Sequence, residues 1–158
     1  MIWNWYLIFL IQKTLNWLLK IQYFTKFNII VIFNQIHIQE SDEKYTVFWT
    51  WWELFKQLVI SFNLKNSSST FQHYINNKLH DFLDIFVIAY IDNILIYLFT
   101  LFEHWKHVQM ILKWLQEADL QYDIKKCKFH IIEIMYFDLI IFCDDIKMNS
   151  VKIKAIVS

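Results

Sequence analysis

The chain has 158 residues, 57% apolar and 20% aromatic, with fifteen acidic and fifteen basic side chains and no net formal charge. That length supports one domain with its own core, and the apolar content excludes intrinsic disorder. A nucleic-acid partner normally shows as a basic excess, so composition alone does not point to one.

Gly, Pro and Arg are absent, and all fifteen basic residues are Lys. Ordinary usage is about 7% Gly and about 5% Pro, and turns, caps and left-handed backbone positions draw on both. Their codons, most Arg codons and those of the scarce Ala are rich in G and C. The inference is a gene depleted of those bases. Cys127 and Cys143 have no metal-ligand spacing and read as two buried, reduced thiols of an intracellular protein.

No run of eighteen residues is free of charge. The nearest, Ile85 to Phe102, is interrupted by Asp92 and Asn93, and an Asp at mid-bilayer costs roughly 2.5–3.5 kcal/mol. Ile2 to Ile11 is apolar but lacks the basic start of a signal peptide. Neither a membrane span nor a secretory leader is expected.

In chain order, residues 8–20 predict an amphipathic helix, with Leu15, Leu18 and Leu19 at helical spacing. Tyr23 to Phe27 predicts a strand ending at Asn28. Gln35 to Ile38 and Tyr45 to Trp49 flank a polar hexapeptide and predict an antiparallel pair; Leu54 to Ile60 predicts a further strand. Asn66 to Thr70 is an N-cap cluster ahead of a helix through Phe71, Tyr74, Ile75 and Leu79. Asp84 to Ala89 and Ile94 to Tyr97 are apolar runs around Tyr90-Ile91-Asp92-Asn93, the pattern of a hairpin with a two-residue polar turn. Glu103 to Ala118 predicts a helix burying Val108, Ile111, Leu112 and Leu115. Lys128 to Ile132 and Tyr136 to Ile141 predict strands before an acidic turn at Asp144-Asp145. Strands and helices alternate without a run of βαβ crossovers, so the class is α+β.

An Asp at a hairpin tip between apolar strands is costly without a partner or a task. Alone, Asp92-Asn93 is an ordinary turn. Its company changes that. Phe24-Thr25-Lys26-Phe27-Asn28, Phe33-Asn34-Gln35-Ile36, Ser61 to Gln72, Tyr90-Ile91-Asp92-Asn93, Lys126-Cys127-Lys128-Phe129 and Ile146-Lys147-Met148 occur in that order. From about Asn4 to Ala155 the series resembles the reverse transcriptase domain of gypsy-type long-terminal-repeat retrotransposons.

The resemblance implies the palm of a right-hand polymerase, a ferredoxin-like antiparallel sheet with helices on one face, plus part of the fingers. It implies one partial domain over residues 1–158, with thumb, connection and ribonuclease H regions outside it. The reaction it implies is nucleotidyl transfer by two Mg²⁺ ions, which favour carboxylate oxygens. Partners would be an RNA or DNA template-primer and a deoxynucleoside triphosphate, in the cytoplasm or nucleus, with no membrane. The three catalytic Asp positions fall on Asn28, Asp92 and Asn93, so only Asp92 remains a metal carboxylate. Phe33, which excludes a 2′-hydroxyl in the family, and Phe62, Gln72 and Tyr90 fall at nucleotide-binding positions. Lys26 falls where a phosphate contact could form. His104 and His107 match histidines of a surface helix, not a metal site.

Other departures share one origin. Family Pro positions read Leu7, Phe9, Ser61, Ser68 and Ser150. Family Gly positions read Glu53, Asn63, Asp119, Asp138 and Asp145. Frequent Arg positions read Trp5, Trp17, His37, Trp49 and Trp51. Nearly all follow from C-to-T or G-to-A codon changes, as does Asp-to-Asn at 28 and 93. The expectation is a mutationally decayed copy, catalytically inactive or nearly so, with several side chains forced into left-handed backbone. Two other readings compete: a polymerase fragment active only with partner segments, and an unrelated apolar membrane-associated protein.

Overall fold

The structure is a computed structural model that describes residues 18–30, 35–61, 64–136, 139–143 and 145–148. The helix expected over 8–20 lies outside them except for its last three residues, of which Leu18 is buried.

The centre is a four-stranded antiparallel sheet of β1 (Tyr23–Asn28), β4 (Val87–Tyr90), β5 (Asn93–Leu98) and β6 (Lys128–Ile131), in the order β4-β5-β1-β6. Two helices, α1 (Ser67–Lys78) and α2 (Leu101–Glu117), cover one face. A second sheet, β7 (Glu133–Tyr136), β8 (Leu139–Phe142) and β9 (Asp145–Met148), lies against the other. The α+β class, with a helix-covered antiparallel sheet, is what the resemblance implied.

Alternation along each strand explains the two cores. Val87, Ala89, Ile94, Ile96 and Phe27 meet Phe71 and Ile75 of α1, its C-cap Leu79, and Val108, Ile111 and Leu115 of α2. Ile88, Leu95, Tyr97 and Phe24 meet Ile134, Tyr136 and Ile141. A strand buried on both faces needs apolar residues at consecutive positions, and Ile94, Leu95, Ile96 and Tyr97 are all buried. Fully burying one such aliphatic side chain contributes about 1.5–3 kcal/mol.

Several expectations require correction. Residues 35–38 do not pair with 45–49. Val47–Trp49 forms β2 and pairs with Leu54–Lys56, β3, while His37 bridges Val59. Thr50 explains the turn: its hydroxyl accepts from the backbone N–H groups of Trp52 and Glu53 and donates to the Glu53 carbonyl. The run 136–141 is two strands, β7 and β8, paired antiparallel as Tyr136 with Leu139; no Gly or Pro marks the reversal. Helix α1 begins inside its N-cap cluster, at Ser67, whose hydroxyl donates to the carbonyls of Ser61 and Leu64. Cys127 is buried but Cys143 is exposed. Of the described positions where the resemblance implied Gly, only Asp119 has a left-handed φ, 53°; Glu53 and Asp145 do not. The others with positive φ are Asp84, Ile91 and His130.

No helix among the described residues is long and apolar enough to cross a membrane.

Candidate active site

β1 and β5 place the site. Their register runs from Tyr23 opposite Leu98 to Asn28 opposite Asn93, so the two Asn residues form the last cross-strand pair. Tyr90 pairs with Asn93 across β4 and β5, which makes Ile91-Asp92 the two-residue turn. The turn therefore sits one residue earlier than the polar pair Asp92-Asn93. Ile91 takes φ 48° there. A positive φ at the first turn position suits a hairpin's twist, but a β-branched residue in that region is an outlier.

The backbone joins these positions firmly. The Ile29 N–H donates to the Asp92 carbonyl at 2.6 Å, and the Asp123 N–H to the Asn28 carbonyl at 2.9 Å. Asn28, Asp92 and Asn93 are thus brought together, each half-buried.

Their side chains form a clasp. Asn28 Nδ2 donates to Asp92 Oδ2 at 2.8 Å, and Asn93 Nδ2 donates to Asp92 Oδ1 at 2.8 Å. An ionised carboxylate only accepts, so the amide nitrogens must face it. Both oxygens of the sole carboxylate are engaged by neutral donors. A two-metal site needs several carboxylate oxygens around each ion. The donor set here does not fit a pair of divalent cations, and no group of three or more His, Cys, Asp or Glu among the described residues could hold one.

Of the expected nucleotide positions, Phe33 and Phe62 lie outside the described residues. Tyr90 is half-buried against the second core. Gln72 is 5% exposed, and its amide bonds to Asn76, to the Ala89 carbonyl and to the Ile91 N–H. Lys26 lies in mid-β1 opposite Leu95.

Spacing did not reveal two neighbours. Burial lifts the Tyr136 phenol above the usual tyrosine range, with Tyr90 and the Asp92 charge adding to the shift. His104 is fully buried, a correction to the surface position expected for it. Its Nε2 lies 2.8 Å from Thr25 Oγ1, which also accepts from the His130 backbone N–H at 3.1 Å. Burial, then the nearby His130 and His107 rings, lower the His104 pKa to about 4. The spacing 104, 108, 111, 115 marks it as part of α2's inner stripe.

Residues 4–154 match the family described as "Reverse transcriptase (RNA-dependent DNA polymerase)". The chain belongs to that family. It is 35% identical over 139 residues to the retrovirus-related Pol polyprotein from transposon 297 of Drosophila melanogaster, covering 88% of this chain and 13% of that protein. It is 32% identical over 146 residues to the Pol polyprotein from transposon opus of the same fly, covering 92% and 15%. The Tf2-7 polyprotein of Schizosaccharomyces pombe is 31% identical over 113 residues, covering 72% and 8%. The chain thus spans a small part of the length of these relatives. Among solved structures, the foamy viral protease-reverse transcriptase in complex with RNA/DNA hybrid aligns with a TM-score of 0.77 at 19% identity, covering 92% of this chain and 20% of that one. Its complex with dsDNA gives 0.79 at 19% identity, covering 92% and 31%. These two neighbours establish the shared fold. The family matches the resemblance carried by the ordered motifs, over nearly the same residues.

Proposed function

We propose that this reverse transcriptase domain of a retrotransposon Pol polyprotein is a decayed copy that no longer performs two-metal nucleotidyl transfer. The observation that carries the reading is the clasp, in which the Asn28 and Asn93 amides engage both oxygens of Asp92. Had these positions kept Asp, three carboxylates would converge on one point, an arrangement held together by divalent cations. An amide supplies no charge. If each lost carboxylate removes ~3 kcal/mol of transition-state stabilisation, two losses slow the chemistry by roughly 10⁴-fold.

The cation of the working ancestor is read as Mg²⁺, and its ligands as the carboxylates at 28, 92 and 93. Template-primer and nucleotide contacts remain assigned to this face of the palm. Phe33, Phe62, Gln72 and Tyr90 are the nucleotide-binding candidates, and the compartment is cytoplasmic or nuclear. Net neutrality makes any residual nucleic-acid binding weak and strongly salt-dependent.

The test is Mn²⁺ binding, followed by the relaxation of water protons, which does not depend on segments beyond this chain. The chain as it stands is expected to bind no Mn²⁺ at micromolar concentration, and the Asn28→Asp, Asn93→Asp variant to gain binding. Tight binding by the unaltered chain, abolished by Asp92→Asn, would overturn the reading. So would primer extension by the unaltered chain at ordinary polymerase rates.

A further inference from the structure

Among the described residues β4 is an edge strand, with β5 as its one ladder partner in the central sheet. The outward backbone groups of such an edge need partners when buried. The Phe82 carbonyl and the Asp84 N–H answer those of Val87, and Gln72, on α1, supplies partners further along. Its Nε2 donates to the Ala89 carbonyl at 2.9 Å, and its Oε1 accepts from the Ile91 N–H at 2.8 Å. The carbonyl of one residue and the N–H of the residue two further on point to the same side of a strand, and a neighbouring parallel strand would answer both with a single unit, the N–H and carbonyl of one residue. The side-chain amide of Gln72 mimics that unit, with one donor and one acceptor in a fixed plane. Asn76, one turn along α1, accepts a second hydrogen bond from Nε2 at 2.8 Å and orients the amide. At 5% exposure the group is shielded from competing water.

The site of this clamp gives it a consequence. The N–H it holds belongs to Ile91, the residue with φ 48°, and Asp92 follows directly. A β-branched residue enters left-handed backbone only when its surroundings enforce it. The Ile29 N–H holds the turn from the β1 side through the Asp92 carbonyl. Gln72 holds it from the opposite side.

We propose that Gln72 is a positioning residue that locks the Ile91-Asp92 turn by acting as a one-residue strand on the β4 edge. This role rests on the proposed catalytic remnant only in assigning the turn its former purpose; the clamp itself is independent of any metal. Three bonds engage the amide, so its task here is to fix the backbone that presents Asp92. Glu at this position keeps an acceptor for Ile91 but loses the donor to Ala89. Met keeps the volume and loses both.

The test is hydrogen exchange of backbone amides, resolved by residue, in the full chain and in Gln72→Met and Gln72→Glu. In Gln72→Met the Ile91 amide is expected to exchange at least tenfold faster, while Ile94 and Ile96 keep their protection. In Gln72→Glu the Ile91 amide is expected to retain most of its protection. An Ile91 amide unchanged in Gln72→Met would overturn the proposal. If Gln72→Met loses protection throughout the sheet, Gln72→Glu decides alone: protection kept at Ile91 supports the clamp, and protection lost there while Ile94 keeps its own overturns it. Mn²⁺ binding in the Asn28→Asp, Asn93→Asp background separates the two readings. Without binding there, the catalytic assignment fails and the exchange result still stands or falls by itself.

Discussion

Asn28 and Asn93 face each other as the final pair of β1 and β5, and each gives one amide hydrogen to the same carboxylate. The arrangement satisfies Asp92 without a cation. Returning a single Asp would remove one donor and set a second negative charge beside the first.

In metal-free buffer, Asn93→Asp is therefore expected to lower stability by about 1–3 kcal/mol, the usual cost of leaving a half-buried polar group poorly satisfied. The double reversion should cost more than either single change and should recover on adding Mn²⁺, since a ligand that binds only the folded state stabilises it. Urea melts with and without Mn²⁺ measure this. Equal stability of the chain and both single variants in chelator would contradict the clasp.

His104 gives a dependence on pH. Its folded pKa is lowered to about 4, against about 6.5 in an unfolded chain. The unfolded state then binds the proton more readily, so stability is complete above pH 6.5 and falls as pH drops toward 4. Over that window the loss should reach about 2–3 kcal/mol. Melts between pH 7 and pH 4 would show it, and His104→Leu should flatten that part of the profile. A slope unchanged by the substitution would place its origin elsewhere.

Backbone strain is local. Asp119 sits at φ 53°, just beyond the end of α2. Asp119→Gly should stabilise by roughly 0.5–1 kcal/mol, because glycine enters that region without a β-carbon penalty. Glu53, another position where the resemblance implied Gly, has no positive φ, and Glu53→Gly should give no such gain. Chemical denaturation of the two variants side by side distinguishes a real conformational demand from a general effect of glycine.

Trp49, Trp51 and Trp52 are 83, 101 and 93% exposed around the β2–β3 turn, with Phe48 and Phe55 stacked beside them. Clustered exposed aromatics promote association. The chain is expected to enter the insoluble fraction when expressed alone. Changing Trp49, Trp51 and Trp52 to Lys should raise the soluble share several-fold with little change in melting midpoint. A soluble, monomeric parent chain in sedimentation would contradict this.

The central hairpin and α2 were legible in the sequence for a physical reason. Unbroken apolar runs of strand length and a clear helical stripe survive the loss of Gly and Pro, because they depend on burial. Turns depend on those two residues, and it is at turns that the structure departs from expectation. Tyr136 pairs with Leu139 across a reversal that no Gly or Pro marks, so β7 and β8 read as one expected strand. The polar look of Asp92-Asn93 drew the turn one residue too late, although Asn93 lies in the β5 ladder. Residues 35–38 were matched to the nearest alternating run, whereas β2 takes the strand just after it. At the candidate site, spacing revealed which residues converge. That Gln72 serves the backbone, and that His104 lies inside, required the packing of α1 and α2 against the sheet.

β5 lies between β4 and β1 in the central sheet, and its residues 94–97 are all buried, alternating between the two cores. A polar change at any of them would open a packed layer, on one face for Ile94 and Ile96 and on the other for Leu95 and Tyr97, whereas a change at the hairpin's end meets only half-buried side chains. Substitution at the hairpin's end can therefore change the site while both packed layers, and with them the architecture, stay as they are.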